Sequence, residues 1–130
     1  MNSIKNNKKI LLVEDEDIAR EILAFKLKLL KIDFDEASNG DEGLKKMRAN
    51  SYNLVLLDLR MPIKDGFQVL EEAGADEKLK DIPIWVLSNL GQKDEIDRAL
   101  KLGTKEYFVK ASFNIDDLVN KIINFVGNPN

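Results

Sequence analysis

Short apolar runs punctuate the chain: Ile10 to Val13, a weaker Phe34 to Ala37, Leu54 to Leu57, Ile84 to Leu87, and Tyr107 to Val109. The strongest are continuous rather than alternating, the pattern of parallel strands covered on both faces. Between them, apolar residues recur at helical spacing. Residues 17–30 set Ile18, Ile22, Phe25 and Leu29 along one face, broadened by Leu23, Leu27 and Leu30. Gly40 and Asp41 open a shorter helix carrying Leu44 and Met47, weakened by Gly43 in its interior. A third helix begins near Asp65-Gly66 with Phe67, Val69, Leu70 and Ala73. A fourth spans 94–102 and stops at Gly103, and a fifth spans 115–126, capped by Asn114 or Asp116.

This alternation predicts a (βα)5 domain: a mostly parallel sheet, helices on both faces and right-handed crossovers. Ligands of such sheets bind beyond the carboxyl ends of the strands. Polar residues fall there after four of the runs: Glu14 and Asp15, Asp58, Ser88 and Lys110.

Composition narrows the chemistry. The 130 residues suit one domain with one core, and 44% hydrophobic with 33% charged residues fits a folded soluble chain. No apolar stretch has the length of a membrane span, and the start MNSIKNNKK is polar, without a signal-peptide pattern. The absence of cysteine removes disulfides and thiolate chemistry, and makes the cytoplasm the expected location. The absence of histidine removes the commonest general base and transition-metal ligand. A net charge of −3 with interspersed signs argues against direct nucleic-acid binding. Carboxylates, hydroxyls, lysines and a hard oxygen-bound metal remain.

Taken singly, the strand-end residues have ordinary explanations. Acidic residues such as those in VEDED favour a helix's first turn, a strand-end aspartate caps a turn, and a lone lysine is usually solvated. Tyr107 and Trp85 suit a core. Together they suggest more. Three carboxylates at one edge repel one another, and a hard divalent cation such as Mg²⁺ offsets that repulsion. With Lys110 and the Ser88 hydroxyl they form a cradle for a phosphoryl group, which an aspartate can accept as nucleophile.

ILLVEDED, NGDEGL, VLLDLRMPIKDG, IPIWVLS and LGTKEYFVKAS stand in the order and spacing of one family. Over about residues 8–126 the chain resembles the receiver domains of bacterial two-component response regulators, in their single-domain, chemotaxis-regulator-like form. The resemblance implies the flavodoxin-like, doubly wound sheet of order 2-1-3-4-5. It makes Asp58 the phosphoacceptor, Asp15 and Glu14 the Mg²⁺ ligands with Asp58, and the Arg60 backbone carbonyl a further metal contact. It makes Lys110 the partner of the phosphoryl oxygens, Ser88 a hydrogen-bond donor to one of them, and Tyr107 an aromatic switch that follows Ser88.

The partners implied are a histidine kinase or histidine phosphotransfer protein and a downstream protein target. No direct nucleic-acid contact and no membrane is expected, and the chain would be a monomer or a phosphorylation-dependent dimer. The receiver domain is expected over 8–127, between a flexible start (1–7) and a tail (128–130), with no effector domain. The chain is expected to be a phosphoacceptor with slow self-catalysed turnover rather than an enzyme.

Three departures from the family pattern, and Leu90 at one of its variable positions, bear on this. Glu14-Asp15 replaces the more usual Asp-Asp, Asn89 stands where a small residue is general, and Leu90 cannot hold a water by hydrogen bonding, which predicts slow loss of phosphate. Ala111 replaces the proline after the active-site lysine, leaving two conformations: a trans bond with an altered loop, or a strained cis bond. Competing readings are a receiver-like interaction module that works without phosphate, an aspartate-nucleophile phosphohydrolase, and a flavodoxin-type flavin module. The phosphohydrolase lacks its second aspartate, because that position is Arg60. The flavin module lacks a hydroxyl- and glycine-rich phosphate loop after the first strand.

Overall fold

Strands and helices alternate strictly over residues 9–127, the part of the chain that this computed structural model describes. They are β1 (Lys9–Val13), α1 (Asp17–Leu29), β2 (Asp33–Ala37), α2 (Gly40–Ala49), β3 (Leu54–Leu57), α3 (Gly66–Gly74), β4 (Ile84–Ser88), α4 (Lys93–Lys101), β5 (Glu106–Val109) and α5 (Ile115–Val126). The expected start 1–7 and tail 128–130 lie outside the described residues. All strand pairs are parallel and the sheet order is β2-β1-β3-β4-β5, the flavodoxin-like order implied by the resemblance. Ser88, expected just after a strand, is the last residue of β4 and pairs with Val109.

The continuous apolar runs are buried on both sides because successive side chains point to opposite faces. Leu11, Val13, Val55, Leu57 and Val86 face one layer, where they meet Leu44 and Met47 of α2, Val69 and Leu70 of α3, and Ala99 of α4. Ile10, Leu12, Leu54, Leu56, Trp85 and Leu87 face the other, packed on Ala24 and Leu27 of α1 and Leu118, Ile122 and Val126 of α5. Each such aliphatic side chain, fully buried, contributes about 1.5–3 kcal/mol. One continuous sheet therefore carries two separate cores.

The helix ends follow local chemistry. Asn39 caps α2 by accepting from the Glu42 amide at 2.8 Å. At α3, the Asp65 carboxylate accepts from the Gln68 amide at 2.9 Å while the Asp65 amide donates to the Gln68 side chain at 3.0 Å, a complete capping box. Of the two candidate caps for α5, Asn114 is the one used, accepting from the Asp116 amide at 2.7 Å. Gly43 does not interrupt α2. A Cβ there would lie 3.1 Å from the Val13 methyl groups, so the glycine lets the helix seat closely on β1.

One face differs from the sequence pattern. The stripe Ile18, Ile22, Phe25 and Leu29 on α1 points to solvent, with exposures of 74, 49, 61 and 62%. The core is met instead by Ala24 and Leu27, flanked by half-buried Leu23 and Leu30. Small Ala24 allows close approach to the sheet, and the larger stripe is left outside.

Candidate functional site

The carboxyl edge of the sheet is anchored one residue beyond its strands. The Glu14 amide donates to the Ala37 carbonyl at 3.0 Å, the Asp58 amide to the Val13 carbonyl at 3.0 Å, and the Lys110 amide to the Ser88 carbonyl at 2.8 Å. The main chain beneath each side chain is thus held by an extension of the sheet ladder. The loop after Asp58 turns back against it, closed by the Gly66 amide on the Leu59 carbonyl at 2.9 Å. A Cβ at Gly66 would meet the Asp58 carbonyl oxygen at 2.5 Å, so this return requires glycine.

On this frame, oxygens of Glu14, Asp15 and Asp58 lie within 4.8 Å of one another. Glu14 and Asp58 are 7% and 6% exposed, and Asp15 is half-buried. Lys110 reaches over the pair: its ammonium lies 2.5 Å from Glu14 Oε1, 3.7 Å from Glu16 and 3.8 Å from Asp58 Oδ2. Burial, reinforced by the charge of Glu14, pushes the Asp58 carboxyl up to about 7, against the opposing pull of Lys110 and the Arg60 amide. Burial also opposes the charge on Lys110. The hydrogen bond that the ammonium donates to Glu14, together with the neighbouring carboxylates, outweighs it and holds the ammonium above its ordinary value.

The donor set fits a hard cation. Carboxylate oxygens converge on one point, two of the acids are almost dry, and a single lysine serves both. Oxygen-only ligands with room for waters are the preference of Mg²⁺. Asp15, Glu16, Asp58, Arg60 and Asn89 line an open cleft of about 220 Å³ beside the cluster. Arg60 directs its amide at the Asp58 carboxylate and its exposed side chain to the cleft rim.

Ser88 is fully buried, and its Oγ accepts from the Leu90 amide at 3.1 Å. The half-buried Tyr107 hydroxyl donates to the Leu90 carbonyl at 2.5 Å. Leu90 therefore carries a hydrogen bond to each of the two residues expected to move together. The Lys110–Ala111 bond is trans, as are all peptide bonds among the described residues, which resolves the two expected conformations.

Two residues at the site escaped the sequence reading. Glu16 lines the cleft, and its amide donates to Glu14 Oε2 at 3.1 Å. Arg20 donates to the Glu14 carbonyl at 2.7 Å. Their acidic and basic spacing, four residues apart at the start of α1, looks like ordinary helix-surface pairing, which conceals both.

Fold and site together define a doubly wound α/β domain with a carboxylate cluster at the carboxyl edge of its sheet, and comparison with known proteins specifies the family. The family model for the response regulator receiver domain matches residues 10–123. The chain belongs to that family and is a receiver domain of two-component signalling. Among curated relatives, ResD of Bacillus subtilis, a transcriptional regulatory protein, is 37% identical over 105 residues, which is 81% of this chain and 42% of ResD. The gliding motility regulatory protein of Myxococcus xanthus is 32% identical over 114 residues, 88% of this chain and 15% of that protein. The chain thus spans less than half the length of these relatives. Among solved structures, the response regulator TrrA of Thermotoga maritima, in complex with Mg²⁺-BeF, is 36% identical with a TM-score of 0.77, covering 91% of this chain and 98% of TrrA. The receiver domain of the Francisella response regulator 1452 is 26% identical with a TM-score of 0.83, covering 92% and 96%.

Proposed function

We propose that the chain accepts a phosphoryl group on Asp58 from a phosphohistidine of a partner protein, with Mg²⁺ bound by Glu14, Asp15, Asp58 and the Arg60 carbonyl. The observation that carries this is the buried Asp58 carboxylate, which sits between two further acids and Lys110 at the mouth of an open cleft. Support comes from TrrA, a 36% identical relative described in complex with Mg²⁺-BeF.

In this reading an Asp58 oxygen attacks phosphorus, the bond from phosphorus to the donor imidazole nitrogen breaks, and the imidazole leaves with that bond's electron pair. Mg²⁺, when bound, supplies positive charge for the phosphoryl oxygens. Lys110 swings from Glu14 toward those oxygens and holds one of them. The Ser88 hydroxyl turns from the Leu90 amide to donate to another, and Tyr107 responds through its own bond to Leu90. Such a two-position element is what a phosphorylation switch needs to change partners. Turnover is slow and self-catalysed, so the chain acts as a phosphoacceptor rather than as an enzyme.

The exposed stripe on α1 gives the phosphodonor its landing place. Ile18 follows two residues after Glu16, which lines the cleft, and the stripe continues along α1 through Ile22, Phe25 and Leu29. An amphipathic helix of the partner laid along it would bring a histidine over Asp58.

The test is incubation with a small phosphodonor, with and without MgCl₂, read by intact mass and peptide mapping. A Mg²⁺-dependent phosphoryl adduct on Asp58, lost in Asp58→Asn, is expected. Equal labelling of Asp58→Asn, or labelling indifferent to Mg²⁺, would overturn the reading.

A further inference from the structure

We propose that Arg20 is a positioning residue for the acidic pair, fixing the Glu14–Asp15 peptide so that both side chains meet a divalent cation; the inference rests on the metal reading above. Arg20 lies in α1, yet its guanidinium joins three separate parts of the structure. Nη1 donates to the Glu14 main-chain carbonyl at 2.7 Å, Nε to Glu36 Oε1 of β2 at 3.1 Å, and Nη2 to Asp17 Oδ1 at 2.8 Å. The side chain is only 18% exposed, and it lines a small, mainly apolar pocket with Leu12, Leu57 and Asp58.

The bond to the Glu14 carbonyl matters because of what shares that peptide plane. A peptide unit is rigid, so the Glu14 carbonyl and the Asp15 amide and Cα move together. The Glu14 amide is already held by Ala37. With its carbonyl held by Arg20, the chain is pinned on both sides of Glu14, and Asp15 leaves that plane in a fixed direction. Asp15 needs this help, because it stands beyond the sheet ladder, half-buried at the cleft.

The role is positional more than Coulombic. Glu36 and Asp17 occupy the rest of the guanidinium and offset its charge. A lysine would keep the charge, but a single ammonium cannot reproduce the planar fork that spans three acceptors. Arg20→Lys therefore separates the two explanations.

The experiment is calorimetric titration of MgCl₂ into the parent, Arg20→Lys and Glu36→Gln proteins, alongside hydrogen exchange of the Glu14 amide. Because outer contacts that orient metal ligands are typically worth 10–100-fold in affinity, Arg20→Lys should weaken Mg²⁺ binding about 10-fold. Glu36→Gln should weaken it less. The Glu14 amide, held on Ala37, should exchange faster in Arg20→Lys without metal. In phosphodonor labelling, the half-saturating Mg²⁺ concentration should rise while the rate at saturating Mg²⁺ stays near that of the parent. Parent-like Mg²⁺ affinity in Arg20→Lys would overturn this role alone, whereas a parent protein that binds no Mg²⁺ would overturn the metal reading and this role with it.

Discussion

Lys110 and Glu14 form a 2.5 Å ion pair that spans the carboxyl edge of the sheet from β5 to β1, across the ends of β3 and β4. It passes over Asp58, which stands 3.8 Å from the same ammonium. The lysine thereby offsets part of the negative charge of an edge that holds Glu14, Asp15 and Asp58 together. Removing one member of such a buried arrangement leaves the others uncompensated. Lys110→Met should destabilise the metal-free protein by about 3 kcal/mol in urea denaturation. It should also slow phosphodonor labelling about 100-fold, the loss typical of one charge-stabilising donor.

Asp58 makes stability depend on pH in a direction opposite to that of most native carboxylates. Its carboxyl is raised from 3.8 to about 7 by folding, so the native state binds more protons than the unfolded chain between those values. The stabilisation it gives is fully present below pH 3.8 and is lost as pH rises through about 7. Between pH 6 and 8 the metal-free protein should lose on the order of 1 kcal/mol from this group. Asp58→Asn should abolish that dependence, and millimolar MgCl₂ should suppress it. Denaturation midpoints at the two pH values provide the check.

Ile63 carries the strain of the loop after Asp58. Its φ is +70°, and the Lys64 amide closes on the Pro62 carbonyl around it at 2.7 Å. A β-branched residue in that region is disfavoured by roughly 1–2 kcal/mol. Its side chain is 79% exposed, so little packing opposes replacement. Ile63→Gly should raise stability by about 1 kcal/mol, net of glycine's greater freedom in the unfolded chain. An unchanged or lower melting temperature would count against this.

The α1 stripe predicts a separation of two activities. Phe25→Ser should leave stability within about 0.5 kcal/mol, since the side chain is 61% exposed, and should not alter labelling by a small phosphodonor. Transfer from a partner phosphohistidine should fall about tenfold or more, in keeping with loss of a buried aromatic anchor at an interface. Equal losses with both donors would place the defect in the site itself.

The alternation of strands and helices was legible because both cores are written as continuous apolar runs, from Ile10 to Val13 and from Ile84 to Leu87. Sheet order was not, since periodicity says nothing about which strands neighbour each other; that came from the resemblance. The convergence of Glu14, Asp15, Asp58, Ser88 and Lys110 on one edge followed from parallel topology, which gathers all strand ends together. Periodicity misplaced the outer stripe of α1. That helix has two competing apolar rows, and the choice between them depends on the volume beside Ala24. Arg20 stayed hidden because Glu36 lies on a different element and Glu14 contributes a main-chain oxygen, which no side-chain pattern reveals.

Trp85, the single tryptophan of the chain, lies far from solvent among Phe108 and Phe125, with ring centroids 5.9 and 5.1 Å away. It sits on β4 three residues before Ser88, but faces the layer of α1 and α5 rather than the cleft. The molecule therefore has a built-in optical gauge that is deaf to the chemistry and tuned to its mechanical echo. A change in indole emission upon phosphorylation would mean that the signal has crossed the sheet and loosened or tightened the opposite layer.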